Sequence, residues 1–354
     1  MPPPAGEVAK VNVISNTDIN ATPPPQPRPH PRTPVTFCNP QAGDDELGKL
    51  IGRATMQLAA VGDWHKFLEE CRVEPPDLSP NVGQLDHPAA HLLKHIHVHG
   101  VPVTLRTPPW TKHQLDTAIQ RGPHQSAKAD VKFVREEFAD FIKKKFWTVV
   151  PYRLVKGIPS LRLSPLGVVP QRDRRPRLLV DLSYFGVNDK CLDIAPSEAM
   201  QFGRTLQRLL QRILDADPKY GPVYLAKLDI ADGFYRVRIA IRDVAKLGVL
   251  LPSLPGEEPM VAFPLVLPMG WVNSPPYFSA VTETAADLMN DAFKRSEEYP
   301  PHRLEDQALQ IEADNDLGSR DPTHSLTEPT IHPPRLRQRL KYVDIYVDDF
   351  IALL

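Results

Sequence analysis

Two neighbouring aspartates, Asp348 and Asp349, interrupt the apolar run LKYVDIYVDDFIALL between Leu340 and Leu354. Tyr342, Val343, Ile345, Tyr346 and Val347 lead up to them, and Phe350, Ile351, Leu353 and Leu354 lead away. β-Branched and aromatic residues on both sides of a two-residue polar break predict a hairpin with the carboxylates at its tip. Two ionised carboxylates about 4 Å apart repel by roughly 4 kcal/mol at an effective dielectric near 20. A divalent cation removes that penalty, and hard oxygen ligands favour Mg²⁺ or Mn²⁺. An Asp-Asp pair is also ordinary in an exposed turn, so the pair needs a third acid before it implies chemistry. Asp229 supplies one. Val223 to Leu228 predicts a short apolar strand that delivers Asp229 at its end. Three carboxylates around two ions about 3.5–4 Å apart is the arrangement for two-metal phosphoryl transfer.

Other stretches must position these acids or meet a substrate beside them. Leu166 to Val169 and Leu178 to Val180 predict an antiparallel hairpin flanking QRDRRPR, Gln171 to Arg177. Guanidinium groups at such a tip suit a triphosphate, because arginine binds phosphate bidentately. Leu206, Leu209, Leu210, Ile213 and Leu214 predict a helix beneath the sheet carrying Asp229. YRVRIAI, Tyr235 to Ile241, alternates and predicts a half-buried strand, and Met260 to Leu267 predicts its return. In LPMGWVNSPPYF, Leu267 to Phe278, Gly270 permits a close backbone approach. Pro275–Pro276 can start a helix that runs to about Met289.

Four blocks in this order, PRLLVDLSYFGVND, LDIADGFYRVRIA, LPMGWVNSPPYF and YVDDF, resemble the reverse transcriptases of LTR retrotransposons, gypsy-like or Bel-Pao-like, across roughly Ala127 to Leu354. The resemblance implies an α+β fold of fingers and palm: an antiparallel ferredoxin-like palm sheet backed by helices, truncated after YVDD with the thumb absent. It implies an RNA-directed DNA polymerase that joins a dNTP to a primer on an RNA or DNA template. Asp229, Asp348 and Asp349 would be catalytic, with metal contacts at Asp229, Ile230, Asp348 and Asp349 and two Mg²⁺ or Mn²⁺ ions. Nucleotide contacts would fall to Arg172, Arg177, Asp232, Gly233, Phe234, Met269 and Gly270. Arg177 stands where the family carries a triphosphate-contacting arginine, four residues before Asp181. The partner position is Gln171 here, with Arg172 one place along. Phe234 would exclude a ribose 2′-hydroxyl by sterics, and the apolar Met269 replaces a frequent glutamine.

Two readings compete with the polymerase. One is a catalytically incompetent fragment that retains nucleic-acid binding, since thumb and RNase H are missing. The other is a phosphohydrolase using the same acids, which leaves LPMGWVNSPPYF unexplained.

The 354 residues suffice for two or three domains. Lys plus Arg, at 42, nearly balances Asp plus Glu, at 43, so any nucleic-acid surface must be local. Cys38, Cys71 and Cys191 are far apart and odd in number, which predicts neither a disulfide framework nor a CxxC metal site. MPPPAGEVAK lacks the apolar core of a signal peptide, and no run of about 18 apolar residues predicts a membrane span. An intracellular protein, in cytoplasm or nucleus, is the expectation.

Residues 1–44 are proline-studded and predict a disordered arm. Residues 45–125 predict a helical extension. Leu47, Leu50, Ile51, Ala54 and Leu58 recur at helical spacing up to Gly62, and Asp63 can cap a second helix from Trp64 to about Cys71. His87, His91 and His95 fall at i, i+4 and i+8, a spacing zinc ligands use, but Leu92, Leu93 and Ile96 make an ordinary polar-faced helix the better reading. The resemblance implies that residues 126–354 form a fingers-palm domain. It begins with an amphipathic helix through Val131, Val134, Phe138, Phe141 and Ile142 that ends in Lys143–Lys145. Residues 293–338 predict an irregular insertion.

Overall fold

The computed structural model describes residues 45–73, 85–192, 200–295 and 340–354. The proline-rich arm, the Pro75–Pro80 loop and nearly all of the 293–338 insertion lie outside them. The described residues fall within a single unit of the chain. They form a mixed α/β fold with a mixed five-stranded sheet and an antiparallel three-stranded sheet.

Helix α1 (Glu46–Val61) starts where the Asp45 carboxylate accepts from the Gly48 amide and ends at Gly62, whose φ of 69° permits the left-handed cap. Asp63 caps α2 (Trp64–Cys71) in the same way. Helices α3 (Ala90–His99), α4 (Lys112–Arg121), α5 (Gln125–Ala129) and α6 (Val131–Lys143) follow. Thr111 and Gln114 close a reciprocal capping box on α4. Strand β1 (Trp147–Pro151) is buried throughout and pairs with β6 (Met260–Pro264). Between them come the short helix α7 (Tyr152–Val155), the hairpin β2 (Leu163–Gln171) and β3 (Arg174–Val180), short α8 (Val187–Lys190), α9 (Thr205–Leu214), β4 (Leu225–Asp229) and β5 (Gly248–Leu250). The long helix α10 (Ser274–Arg295) precedes β7 (Tyr342–Tyr346) and β8 (Asp349–Leu353).

The larger sheet runs β1-β6-β5-β2-β3, with β2 and β5 parallel and the other pairs antiparallel. Residues 45–125, read from sequence as an extension, share its core: Leu47, Phe67, Leu68, Ile96 and Leu115 join Trp147, Leu163, Val261 and Phe263. Arg135 on α6, only 7% exposed, lies between Asp45 (Nη2 to Oδ1, 2.8 Å) and Glu257 (Nη1 to Oε2, 3.0 Å). The guanidinium beside Asp45 holds that carboxyl below the usual carboxylate range. This buried triad ties the first helix to the β5–β6 connection, and removing either partner would strand a charge.

The structure corrects three expectations. YRVRIAI is not a strand. Gly233–Arg236 and Ile241–Leu247 are 3₁₀ turns, and only single bridges, Ile239 to Val101 and Arg238 to Val266, connect the stretch between them. Alternating Val237 and Ile239 are buried, so the pattern reported burial without a ladder. Helix α9 does lie against the sheet carrying Asp229, on strand β7 through Arg208, but Leu206, Leu210 and Leu214 of its predicted apolar face stand 69%, 51% and 79% exposed. Every residue of β4 is exposed, so α9 does not cover Asp229's strand. Finally, His87 precedes α3 and contacts Asp287 at 3.3 Å, so it leaves the helical face that His91 and His95 share.

Candidate metal centre

Strand β4 pairs antiparallel with β8 so that Asp229 stands directly opposite Asp349, while β8 pairs on its other edge with β7. The β7–β8 turn consists of Val347 and Asp348, and the Ile230 amide donates to the Asp348 carbonyl at 3.0 Å. One carboxylate oxygen from each of Asp229, Asp348 and Asp349 lies within 4.8 Å of the others. The acids therefore converge as the sequence predicted, with Asp348 in the turn and Asp349 opening the second strand.

Backbone conformation on both sides of the cluster is unusual. Val347 has φ 60°, rare for a β-branched residue, and Asp232 has φ 57°. Left-handed backbone costs a non-glycine residue roughly 1–2 kcal/mol, and such strain clusters at functional sites. Gly233 is the point of contact between the two segments. A Cβ there would stand 2.8 Å from Phe278 Cζ and 3.3 Å from Asp348 Cβ, so only glycine lets the Asp232–Phe234 loop lie against the hairpin. Phe234 is half-buried with its ring 4.8 Å from that of Phe278 on α10.

Lys227 was not anticipated. Its Nζ reaches Asp349 Oδ2 at 2.7 Å, and that hydrogen bond, with the charges of the three acids, raises the lysine above its ordinary pKa. The signal was available: two residues before Asp229 on a strand means the same face of the sheet. Lys144, from the predicted lysine cluster, sits 3.6 Å from Asp232 and 3.1 Å from Asp140.

The Met269–Gly270 loop is seated against β3. Gly270 has φ 97°, and a Cβ there would overlap the Val180 carbonyl oxygen. Asn188 on α8 clamps the same loop, donating from Nδ2 to the Gly270 carbonyl at 2.9 Å and accepting at Oδ1 from the Val272 amide at 3.0 Å. Met269 is 49% exposed beside this clamp. Arg172 occupies the β2–β3 tip, almost fully exposed and 3.8 Å from Asp173. Arg177 is exposed on β3 opposite Val169. Among the described residues neither arginine forms an ion pair with the acidic cluster.

Asp344 on β7, two residues before the Tyr346 that stands opposite Asp349, is 3% exposed and takes a two-point ion pair from Arg208, at 2.5 Å to Oδ1 and 2.7 Å to Oδ2. The Tyr342 hydroxyl donates to the same Oδ2 at 2.7 Å. Burial pushes Asp344 upward, but Arg208, Tyr342 and the Ile345 amide outweigh it and hold the carboxyl below its usual value. Thr205 also donates to the Ile345 carbonyl, so α9 grips the acid-bearing hairpin at two points. Helix α10 grips it from a third: Asn290 exchanges hydrogen bonds with Val343 at 2.7 and 2.8 Å.

The arrangement can gather one or two hard divalent cations on carboxylate oxygens open to solvent. No protein-family model matches the chain, and no curated protein matches its sequence.

Proposed function

We propose that the chain is a template-directed nucleotidyl transferase of the reverse-transcriptase kind, whose fingers include the β2–β3 hairpin and whose palm is the β4-β8-β7 sheet. One observation carries this reading: a strand-end acid, Asp229, is registered opposite a hairpin that presents Asp348 and Asp349, with all three within 4.8 Å. The donor set fits Mg²⁺ or Mn²⁺, being hard oxygens without a thiolate or imidazole among them. Bound there, two such ions would lower the pKa of a primer 3′-hydroxyl and offset charge on the departing pyrophosphate.

The protein's own residues supply position and exclusion. Asp229, Asp348 and Asp349 hold the cations, and the Gly233 contact fixes the first acid's loop against the other two. The backbone at Asp232–Gly233 offers a place for incoming phosphates. Phe234, held by Phe278, presents a ring where a ribose 2′-hydroxyl would have to fit. Arg172 at the tip of the β2–β3 hairpin and Arg177 on β3 present exposed guanidinium groups suited to a triphosphate. Lys227 neutralises Asp349 before cations arrive and must yield it when they do.

Primer extension on RNA and DNA templates with dNTPs and Mg²⁺ tests the proposal. Extension by the full chain, abolished in Asp348→Asn, is expected. Binding of a primer–template without extension would favour a binding remnant, and untemplated nucleotide hydrolysis a phosphohydrolase.

A further inference from the structure

A second site lies apart from the acids. An open cleft of about 580 Å³ is floored by Leu93, Ile96, Val266 and Val281 and rimmed by Arg72, Lys145, Arg236 and Arg238. No acid lines it among the described residues. A wall of one charge over an apolar floor is uncommon for a purely structural surface, where cations are ordinarily interspersed with acids.

Arg238 sharpens the point. Its Nη2 donates to the His97 carbonyl near the end of α3, where the helix dipole favours a cation. Its Nη1 is sealed from solvent and has no hydrogen-bond partner. Burial, and next the charge of Arg72, hold the guanidinium below its ordinary pKa, and both arginines line the cleft.

We infer that this cleft binds a small organic phosphate, the dianionic headgroup bridging Arg238 and Arg72 and an apolar body lying on Ile96, Val266 and Val281. Guanidinium groups take phosphate oxygens bidentately, and a dianion between Arg238 and Arg72 would offset the charge of both. The apolar floor adds contact that inorganic phosphate cannot use. Tyr235 and Arg236 both line the cleft, and Arg236 donates from Nε to the Ala231 carbonyl at 3.2 Å. Occupancy would therefore be felt one residue from Asp232.

Calorimetric titration of the full chain in metal-free buffer, with 1-naphthyl phosphate, 1-naphthol and inorganic phosphate as probes, tests this independently of the acidic cluster. Naphthyl phosphate is expected to bind at least tenfold more tightly than either fragment. Arg72→Gln should weaken it about tenfold without weakening naphthol, and Arg238→Gln should do the same where that variant folds. Equal affinity for naphthol would reduce the cleft to an apolar patch. Binding of naphthyl phosphate undiminished in Arg72→Gln, or no measurable binding of it, would overturn the inference.

Discussion

Replacing Arg208 by methionine should destabilise the protein by about 3 kcal/mol at neutral pH. Breaking a buried ion pair from one side costs roughly 3–5 kcal/mol, because the remaining charge is left without its counter-ion. Asp344 is 3% exposed, and Arg208 has 29% of its side chain exposed, so water can partly reach the vacated space and the lower end applies. The Tyr342 hydroxyl and the Ile345 amide still hydrogen-bond the carboxylate, which also limits the loss. Urea denaturation followed by far-UV circular dichroism measures it. The pH dependence gives a second check. Asp344 titrates lower folded than unfolded, so the wild-type pair stabilises fully above the unfolded value, near 3.9, and the contribution fades as pH falls through the folded value. In Arg208→Met burial acts on Asp344 with less opposition, so the carboxyl takes up a proton at higher pH. The gap between variant and wild type should therefore narrow on acidification from about pH 7 toward pH 4. Pairing Arg208→Met with Asp344→Leu removes both charges and should recover most of the loss, since apolar replacements of buried pairs are often neutral. A single-variant cost below about 1 kcal/mol, or a double variant as unstable as the single, would show that the pair does not hold the hairpin.

The remaining expectations concern the acids and their loops. Lys227→Gln removes the cation that competes for Asp349, so the Mg²⁺ concentration for half-maximal extension should fall about two- to fivefold, as expected for an exposed pair; an unchanged or higher requirement in a Mg²⁺ titration would contradict this. Gly270→Ala forces a Cβ onto the Val180 carbonyl at a left-handed position and should cost more than about 2 kcal/mol in thermal or urea unfolding, whereas Gly157→Ala, with open space around it, serves as the near-neutral comparison. Val347→Gly should release strain and raise stability slightly, yet lower extension by loosening the turn that aims Asp348; an equal gain in both would mean the strain has no part in positioning.

Much of the local structure was written in single residues. Asp45, Gly62 and Asp63 are cap residues whose short side chains or missing Cβ satisfy helix ends, and the structure uses each of them so. The Thr111–Gln114 box is equally explicit, a threonine three residues before a glutamine at the start of α4. Sheet order was not legible. The parallel β2–β5 pairing joins segments more than eighty residues apart, and no local pattern encodes such a choice. The apolar stripe Leu206, Leu210, Leu214 misled for a definite reason. Helical period identifies a face without saying which way it turns, and here the Arg208–Asp344 pair and Leu209 turned the other side inward.

The acids themselves were the most legible feature, and the reason is the strand's period of two. In an antiparallel sheet a residue's face and its partner are both fixed once register is fixed. Tyr346 opposite Asp349 sets the hairpin, and Asp229 opposite Asp349 sets the third strand, so these two registers together place all three carboxylates. A slip of one residue in β4 would turn the Asp229 carboxylate to the opposite face and bring the Leu228 side chain to the face of Asp349. What prevents that slip lies outside β4, whose residues are all exposed and contribute little burial of their own. The Ile230 amide on the Asp348 carbonyl and the paired Tyr224–Leu354 hydrogen bonds pin the two ends of the strand. Gly233 against Asp348 and Phe278 then leaves the following loop one way to pack. The acids that converge are legible in the sequence, whereas their register is held by backbone bonds and one glycine, neither of which announces itself in side-chain type.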